Sequence, residues 1–278
     1  YQFQTKYRNE LRAKSGILRT REFLMKDLYS FSVSEAEHQK FYDQVDQAYM
    51  RIYSRLGIGD CTYKTYASGG AFAKYSHEYQ TVLPVGEDTI YLNQDKTIAV
   101  NEEVMNDEVL TDLGVKREDL TATTAAEVGN IFTLRYKFSE PINLKFDDQD
   151  GVKKTVFMGS YGIGVSRVMG VIAEKFADDK GLVWPENIAP FKYYLIGIGD
   201  QGEDFANNLH KEYSSSILLD DRKLRPGEKF ADAELMGIPY RVVVSNKTLE
   251  NNSVEITNRQ TGETKIISTE EFEQSLQD

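Results

Sequence analysis

The stretch KYRNELRAKSGILRTREFLMKDLYSF, Lys6 to Phe31, constrains the fold most. Seven basic residues (Lys6, Arg8, Arg12, Lys14, Arg19, Arg21 and Lys26) crowd it. Its ends nevertheless read as strands: Tyr1 to Arg8 alternates in polarity, and Arg21 to Met25 is bulky and largely apolar. The polar, glycine-containing Arg12-Ala-Lys-Ser-Gly16 lies between. The pattern predicts strand, basic loop, strand, with Arg8 and Glu10 on one face of the first strand and Arg21 and Phe23 on one face of the second. Guanidinium forks match phosphate oxygens, a carboxylate accepts from an exocyclic amine, and a ring offers a stacking surface for a base. Such a hairpin suits a nucleoside triphosphate. The same alternation also describes an ordinary solvated face.

The chain has 278 residues, enough for two modest domains. With 33 Lys plus Arg against 44 Asp plus Glu, its net charge of −11 provides no global attraction for nucleic acid. Contacts to RNA must come from local patches: the opening basic stretch, and Arg222-Lys-Leu-Arg225 with Lys229. One cysteine, Cys61, excludes an internal disulfide framework, argues against a cysteine-based zinc site and suits a reduced, cytoplasmic setting. No apolar run approaches 18 residues, so no membrane partner is expected. Tyr1 already lies within a strand pattern, which predicts that the chain is a piece of a longer protein.

Ser34-Glu-Ala-Glu37 opens a long amphipathic helix, with Phe41, Val45, Ala48, Ile52 and Leu56 as its expected stripe, ending at Gly57. Strands are expected around residues 61–66, 77–83 and 89–92, and weak helical spacing marks acidic residues 101–119. Ser76-His77-Glu78 forms no relay of its own, because neighbours on a strand point to opposite faces. Glu127 to Ser139 reads as a buried strand with a turn. Lys154 to Met158 reads as a strand, followed by Gly159-Ser-Tyr-Gly162-Ile-Gly164-Val-Ser-Arg167 and a helix. A dinucleotide fingerprint begins similarly, but needs a third small residue where this chain has Arg167. Gly181 to Pro190 reads as a linker. Beyond it, strands at 192–198, 217–219, 240–244, 254–258 and 264–267 alternate with helices at 203–213 and 227–236, before a short terminal helix.

Arg8-x-Glu10, a loop, and Arg21-Glu-Phe23-x-x-x-Asp27 resemble motif 2 of the class II aminoacyl-tRNA synthetases. Leu18 to Phe31, LRTREFLMKDLYSF, resembles the bacterial-type prolyl-tRNA synthetases, and Gly159 to Arg167 resembles class II motif 3. Leu219 to Lys223 and Gly237-Ile-Pro239 resemble the anticodon-binding domain of class IIa. The resemblance implies an α+β catalytic core, an antiparallel sheet flanked by helices, over residues 1–180. A linker at 181–190 and an α/β anticodon-binding domain at 191–278 would follow. Motif 1 of the family has no counterpart here, and residues 84–126 are far too short for the family's editing domain.

By the same resemblance, Arg8 would hold the α-phosphate of ATP and Arg167 the γ-phosphate. Glu10 would meet the adenine amine and Phe23 would stack on the ring, with Arg21 and Thr133 also at the nucleotide. His77, Glu78, Phe132, Ser160 and Gly162 would line the proline pocket. Arg222, Lys223, Lys229 and Glu234 would read the anticodon. The sequence departs from the family pattern at Asn130, Thr133 and Ser160, where His, Gln and Cys are common. The implied cofactors are ATP and Mg²⁺, the metal held mainly by ATP phosphates. The implied partners are proline, tRNA(Pro) and a second copy in a family homodimer. Proline would be activated to prolyl-adenylate and transferred to tRNA. Alternatives are a non-catalytic tRNA- or nucleotide-binding fragment, or another class IIa synthetase. A threonyl enzyme needs a zinc set that one Cys and His38, His77 and His210 do not supply.

Overall fold

The computed structural model describes residues 1–11, 13–70 and 73–277. Arg12 of the basic stretch lies outside them. The chain divides into two compact units, Tyr1–Lys175 and Phe176–Asp278.

The first unit contains β1 (Gln2–Tyr7), β2 (Glu22–Ser32), α1 (Glu35–Arg55), β3 (Thr62–Ser68), β4 (Tyr75–Val82), β5 (Asp88–Asn93), β6 (Ala99–Asn101), α2 (Asp107–Leu113), β7 (Leu120–Arg135), β8 (Lys145–Asp147), β9 (Lys153–Thr155), β10 (Phe157–Gly164) and α3 (Val165–Phe176). Eight strands form one sheet in the order β1-β2-β10-β7-β4-β3-β6-β5, with β5 also pairing β7. All its pairings are antiparallel except β3 with β6. β7 runs for 16 residues and pairs successively with β5, β4 and β10. Residues 84–126 thus contribute β5, β6, α2 and the start of β7 to this unit.

The expected basic hairpin is formed by β1 and β2, with Tyr7 opposite Glu22 and the ladder continued by the Arg8 N–H donating to the Arg21 carbonyl at 2.9 Å. Ser34 caps α1, its Oγ accepting from the Glu37 N–H at 3.2 Å. The buried face of α1 differs from the expected stripe: His38, Tyr42, Val45, Tyr49 and Tyr53 are buried, whereas Phe41, Ala48, Ile52 and Leu56 flank them. Aliphatic periodicity alone undercounts tyrosine, whose ring packs like a hydrophobe; the Tyr42 hydroxyl donates to the Ile131 carbonyl and that of Tyr49 accepts from Lys26 Nζ. Tyr49 and Tyr53 stack against Tyr79 with ring centroids 5.3 and 5.4 Å apart, fixing α1 against one face of the sheet.

The glycine-rich segment also differs from a loop. Gly159 to Gly164 belong to strand β10 itself, and the helix starts at Val165. Close packing explains Gly159, where an ideal Cβ would lie 2.5 Å from both His38 Cε1 and the Tyr161 hydroxyl, and one on Gly162 would press on the Met25 methyl.

The second unit contains β11 (Tyr193–Ile198), α4 (Gly199–Glu212), β12 (Ile217–Leu219), α5 (Pro226–Met236), β13 (Tyr240–Ser245), α6 (Asn246–Leu249), β14 (Ser253–Asn258), β15 (Thr264–Ser268) and α7 (Thr269–Ser275). Its sheet order is β12-β11-β13-β14-β15, parallel through the first three strands and antiparallel thereafter. Leu195, Val242 and Val244 face α4 and α7 through Leu209 and Phe272, while Tyr194 and Ile196 face α5 through Ala233. This three-layer arrangement follows from strands that are apolar on both faces. The first residues of the expected linker pack within this unit: Leu182 N–H donates to the Leu235 carbonyl, and Trp184 Nε1 to that of Met236, at 3.0 and 3.1 Å. Among the described residues, no helix is long and apolar enough to cross a membrane.

Candidate active site

On the sheet face away from α1, three adjoining cavities line up. The central one, about 130 Å³, is lined by Arg8, Glu10 and Phe23 from the hairpin and by Gly129, Asn130 and Arg167 from elsewhere. The Arg8 guanidinium carbon stands 5.1 Å from the centre of the Phe23 ring, so cation and aromatic surface are presented together. Arg167 enters from the first turn of α3. Its Nε donates to the Leu18 carbonyl and its Nη1 to the Glu127 carbonyl, both at 2.8 Å, and Nη1 also lies 3.4 Å from Glu127 Oε2. Two guanidiniums from distant parts of the sequence therefore converge on one cavity that the Phe23 ring also lines.

A second cavity, about 580 Å³, shares Arg8, Met25 and Asn130 with the first. Phe132, Leu134 and Met158 give it apolar walls, and Ser160 and Gly162 line it from β10. Asp27 is 6 % exposed, lines this cavity and pairs with Lys6. A cavity with apolar walls and one carboxylate suits an apolar side chain attached to an ammonium group.

The third cavity, about 480 Å³, shares Leu18, Arg19, Glu127 and Arg167 with the central one and is rich in carboxylates, Glu78 and Glu87 among them. Glu78 accepts from Gln80 Nε2 at 2.9 Å and Asn101 Nδ2 at 3.0 Å. Burial, then the nearby Glu127 charge, pushes its carboxyl up to about 7.

Comparison with known proteins separates the candidate families. Residues 1–176 match the family profile described as tRNA synthetase class II core domain (G, H, P, S and T), and residues 192–278 match that described as anticodon binding domain. A proline–tRNA ligase of Ehrlichia chaffeensis is 36% identical over 288 residues, covering 98% of this chain and 68% of its own length. Proteins of the same name from Anaplasma marginale and Rickettsia akari are 37% and 34% identical, covering 95% and 97% of this chain and 66% and 67% of theirs. The chain belongs to the class II prolyl-tRNA synthetases. It spans about two thirds of the length of these relatives.

Within this prolyl-tRNA synthetase fold, strand parity sorts the residues singled out from the sequence. Arg8, Glu10, Phe23 and Arg167 share the central cavity, and Phe132, Ser160 and Gly162 share the second. Glu78 faces the third cavity rather than the second. His77, its neighbour, points to the opposite face, where its Nδ1 and the Tyr42 hydroxyl share a hydrogen bond of 2.7 Å and burial lowers its pKa to about 4. Thr133 also points towards α1, its Oγ1 lying 3.0 Å from His38 Nε2. These two residues back the sheet instead of lining its open side. Arg21 is exposed and braces the hairpin loop, donating Nε to the Glu10 carbonyl at 3.0 Å.

Three cavity residues escaped the reading of the sequence. Arg19 sits in a loop, where strand alternation gives no orientation, yet it faces both the central and third cavities. Asp27 stood in the sequence only as the last residue of the motif 2 pattern, with no role of its own. Glu127 was visible only as the start of an apolar strand.

In the second unit, Asp220 organises the charged cluster. It accepts Arg222 Nε at 2.9 Å and Nη2 at 2.7 Å, and the Tyr194 hydroxyl at 2.8 Å, while Arg222 Nη1 reaches Asp232 at 2.8 Å. The Arg222 contact holds the Asp220 carboxyl down at about 2. Lys229 is 4 % exposed and donates Nζ to the Asp220 carbonyl at 2.9 Å. Glu234 pairs with Lys180 at 3.1 Å, and Lys223 is exposed. Local pairing thus accounts for Arg222, Lys229 and Glu234.

Proposed function

We propose that this chain carries the adenylate-forming site and the anticodon-binding unit of a proline–tRNA ligase. The supporting observation is the convergence of Arg8 and Arg167 on one cavity beside Phe23, with an apolar chamber containing Asp27 next to it. ATP would lie with its base against Phe23 and its phosphates between the two guanidiniums. Proline would place its ring against Phe132 and Met158 and its ammonium near Asp27, aiming its carboxylate at the α-phosphorus across the boundary marked by Arg8. Attack there releases pyrophosphate and leaves prolyl-adenylate, from which the terminal ribose hydroxyl of tRNA(Pro) takes the prolyl group.

Neither step needs a protein nucleophile, so the side chains act through charge and position. Arg8, shared by both cavities, would neutralise the α-phosphate where the carboxylate attacks. Arg167, anchored through two backbone carbonyls, would hold the outer phosphates in line. Among the described residues, no three His, Cys, Asp or Glu side chains converge as a self-sufficient metal site. Glu78 and Glu127, carboxylates close enough to repel, offer hard oxygen donors that fit a cation keeping most of its ligands on phosphate. Mg²⁺ bound there would spread the developing charge of the triphosphate.

The test is ATP–pyrophosphate exchange by the 278-residue chain across a panel of amino acids. Stimulation by proline is expected. Stimulation by threonine, histidine or glycine instead would reject the assignment, and tRNA retention with no exchange would favour the non-catalytic fragment.

A further inference from the structure

Resting on the nucleotide reading above, we propose that Glu87 is a positioning residue, latching the β1–β2 loop onto the β4–β5 turn and presetting Arg19 and Glu10 for the nucleotide. Glu87 Oε2 accepts from Arg19 Nη1 at 2.8 Å, and Arg19 Nε donates in turn to Glu10 Oε2 at 2.9 Å. One guanidinium thereby connects the turn to the carboxylate at the mouth of the central cavity.

The second Glu87 oxygen engages the other arm of the loop, lying 3.6 Å from Lys14 Nζ. Lys14 and Arg19 face each other across the loop, the Lys14 N–H donating to the Arg19 carbonyl at 3.1 Å. A single carboxylate therefore gathers a cation from the outgoing arm and one from the returning arm.

The base of the latch is rigid. Gly86 N–H donates to the Leu83 carbonyl at 3.0 Å, and an ideal Cβ on Gly86 would fall 2.2 Å from the Ala125 carbonyl oxygen of β7. The turn is thus pressed onto the strand that floors the cavities. The Glu87 side chain is only 16% exposed. A charge so shielded needs its cations close, which makes the contact more than a solvated surface pair. Holding the loop before the nucleotide arrives removes an ordering penalty from binding.

The experiment compares the chain with its Glu87→Gln and Glu87→Asp variants by amide hydrogen exchange and by calorimetric binding of Mg·ATP and of proline. In Glu87→Gln, the Lys14 and Leu18 amides should exchange at least ~10-fold faster while those of Val128–Ile131 stay unchanged. Mg·ATP affinity should fall about five- to tenfold, with proline affinity within about twofold of the parent. Glu87→Asp, which keeps the charge, should recover most of both effects.

Unchanged loop exchange in Glu87→Gln would overturn the latch, as would faster exchange spread through β7. A loosened loop with unaltered Mg·ATP affinity would overturn the positioning role. A parent chain that fails to bind Mg·ATP would sink the nucleotide reading and the positioning role with it, leaving the exchange data to judge the latch.

Discussion

The Arg167 guanidinium donates to the Leu18 carbonyl at 2.8 Å, so the first turn of α3 holds the loop that runs on from Arg8. Arg167 therefore braces the hairpin, and in the proposed reading it also presents charge to phosphate. Replacing it by alanine should lower the rate of proline-dependent pyrophosphate exchange by at least ~100-fold, in line with the loss of a preorganised electrostatic donor. Proline binding measured without ATP should change by less than about threefold. Exchange at the parental rate would remove Arg167 from the proposed chemistry.

Phe23 should govern ATP more than proline. A Phe23→Ala change removes the ring beside the Arg8 guanidinium, and stacking of a base on such a ring is worth ~1–3 kcal/mol. The KM for ATP should therefore rise roughly 5- to 100-fold, and the KM for proline should barely move. Steady-state exchange with each substrate varied separately reads this directly.

Asp27→Asn should have the converse signature. A charge-assisted hydrogen bond to an ammonium group is worth ~1.5–3 kcal/mol, so the KM for proline should rise about 10- to 100-fold with little effect on ATP. An equal rise in both constants would show that Asp27 acts through Lys6 and the hairpin rather than on the amino acid.

Glu78 should leave a pH signature in stability. Burial raises its folded pKa from 4.5 to about 7, so between those values the folded state binds more protons than the unfolded chain. Its contribution to stability therefore falls as pH rises through this window, by on the order of 3 kcal/mol at most. Glu78→Gln, which retains an acceptor for Gln80 and Asn101, should gain thermal stability over the parent at pH 8 and little at pH 5. Calorimetric scans of the first unit's transition at both pH values provide the comparison. His77, lowered to about 4, acts with the opposite sign and stays present in both proteins.

In the second unit, Lys229 and Lys223 should separate structure from recognition. Lys229→Met removes a buried donor from the Asp220 carbonyl and should destabilise that unit by ~1–3 kcal/mol, seen as a lower Tm. Lys223→Ala, at an exposed position, should leave Tm unchanged and weaken tRNA(Pro) binding severalfold, more so at low salt.

The hairpin, the helix start at Arg167 and the alternation of the second half were legible because each rests on local spacing. Face assignments were harder. The β4–β7 and β7–β10 pairings contain register shifts, at Tyr79/Gln80 and Met158/Gly159, that no local pattern announces. Within each strand, plain alternation puts His77 opposite Glu78 and Thr133 opposite Phe132, and so on the side of α1. Lys229 looked available in the sequence because its bond to the Asp220 carbonyl is set by where a strand end meets a helix. Arg19 and Glu87 become neighbours only once the β4–β5 turn folds back onto β7.

β7 carries Glu127, Asn130 and Phe132 within one short span, serving all three cavities. In the proposed reading, that strand is a single ruler against which both substrates would be measured. A slip of one residue would turn Ile131 and Thr133 towards ATP and proline together, spoiling the two sites in the same movement. Tolerance for insertions should therefore be lowest here, even at positions that touch neither molecule.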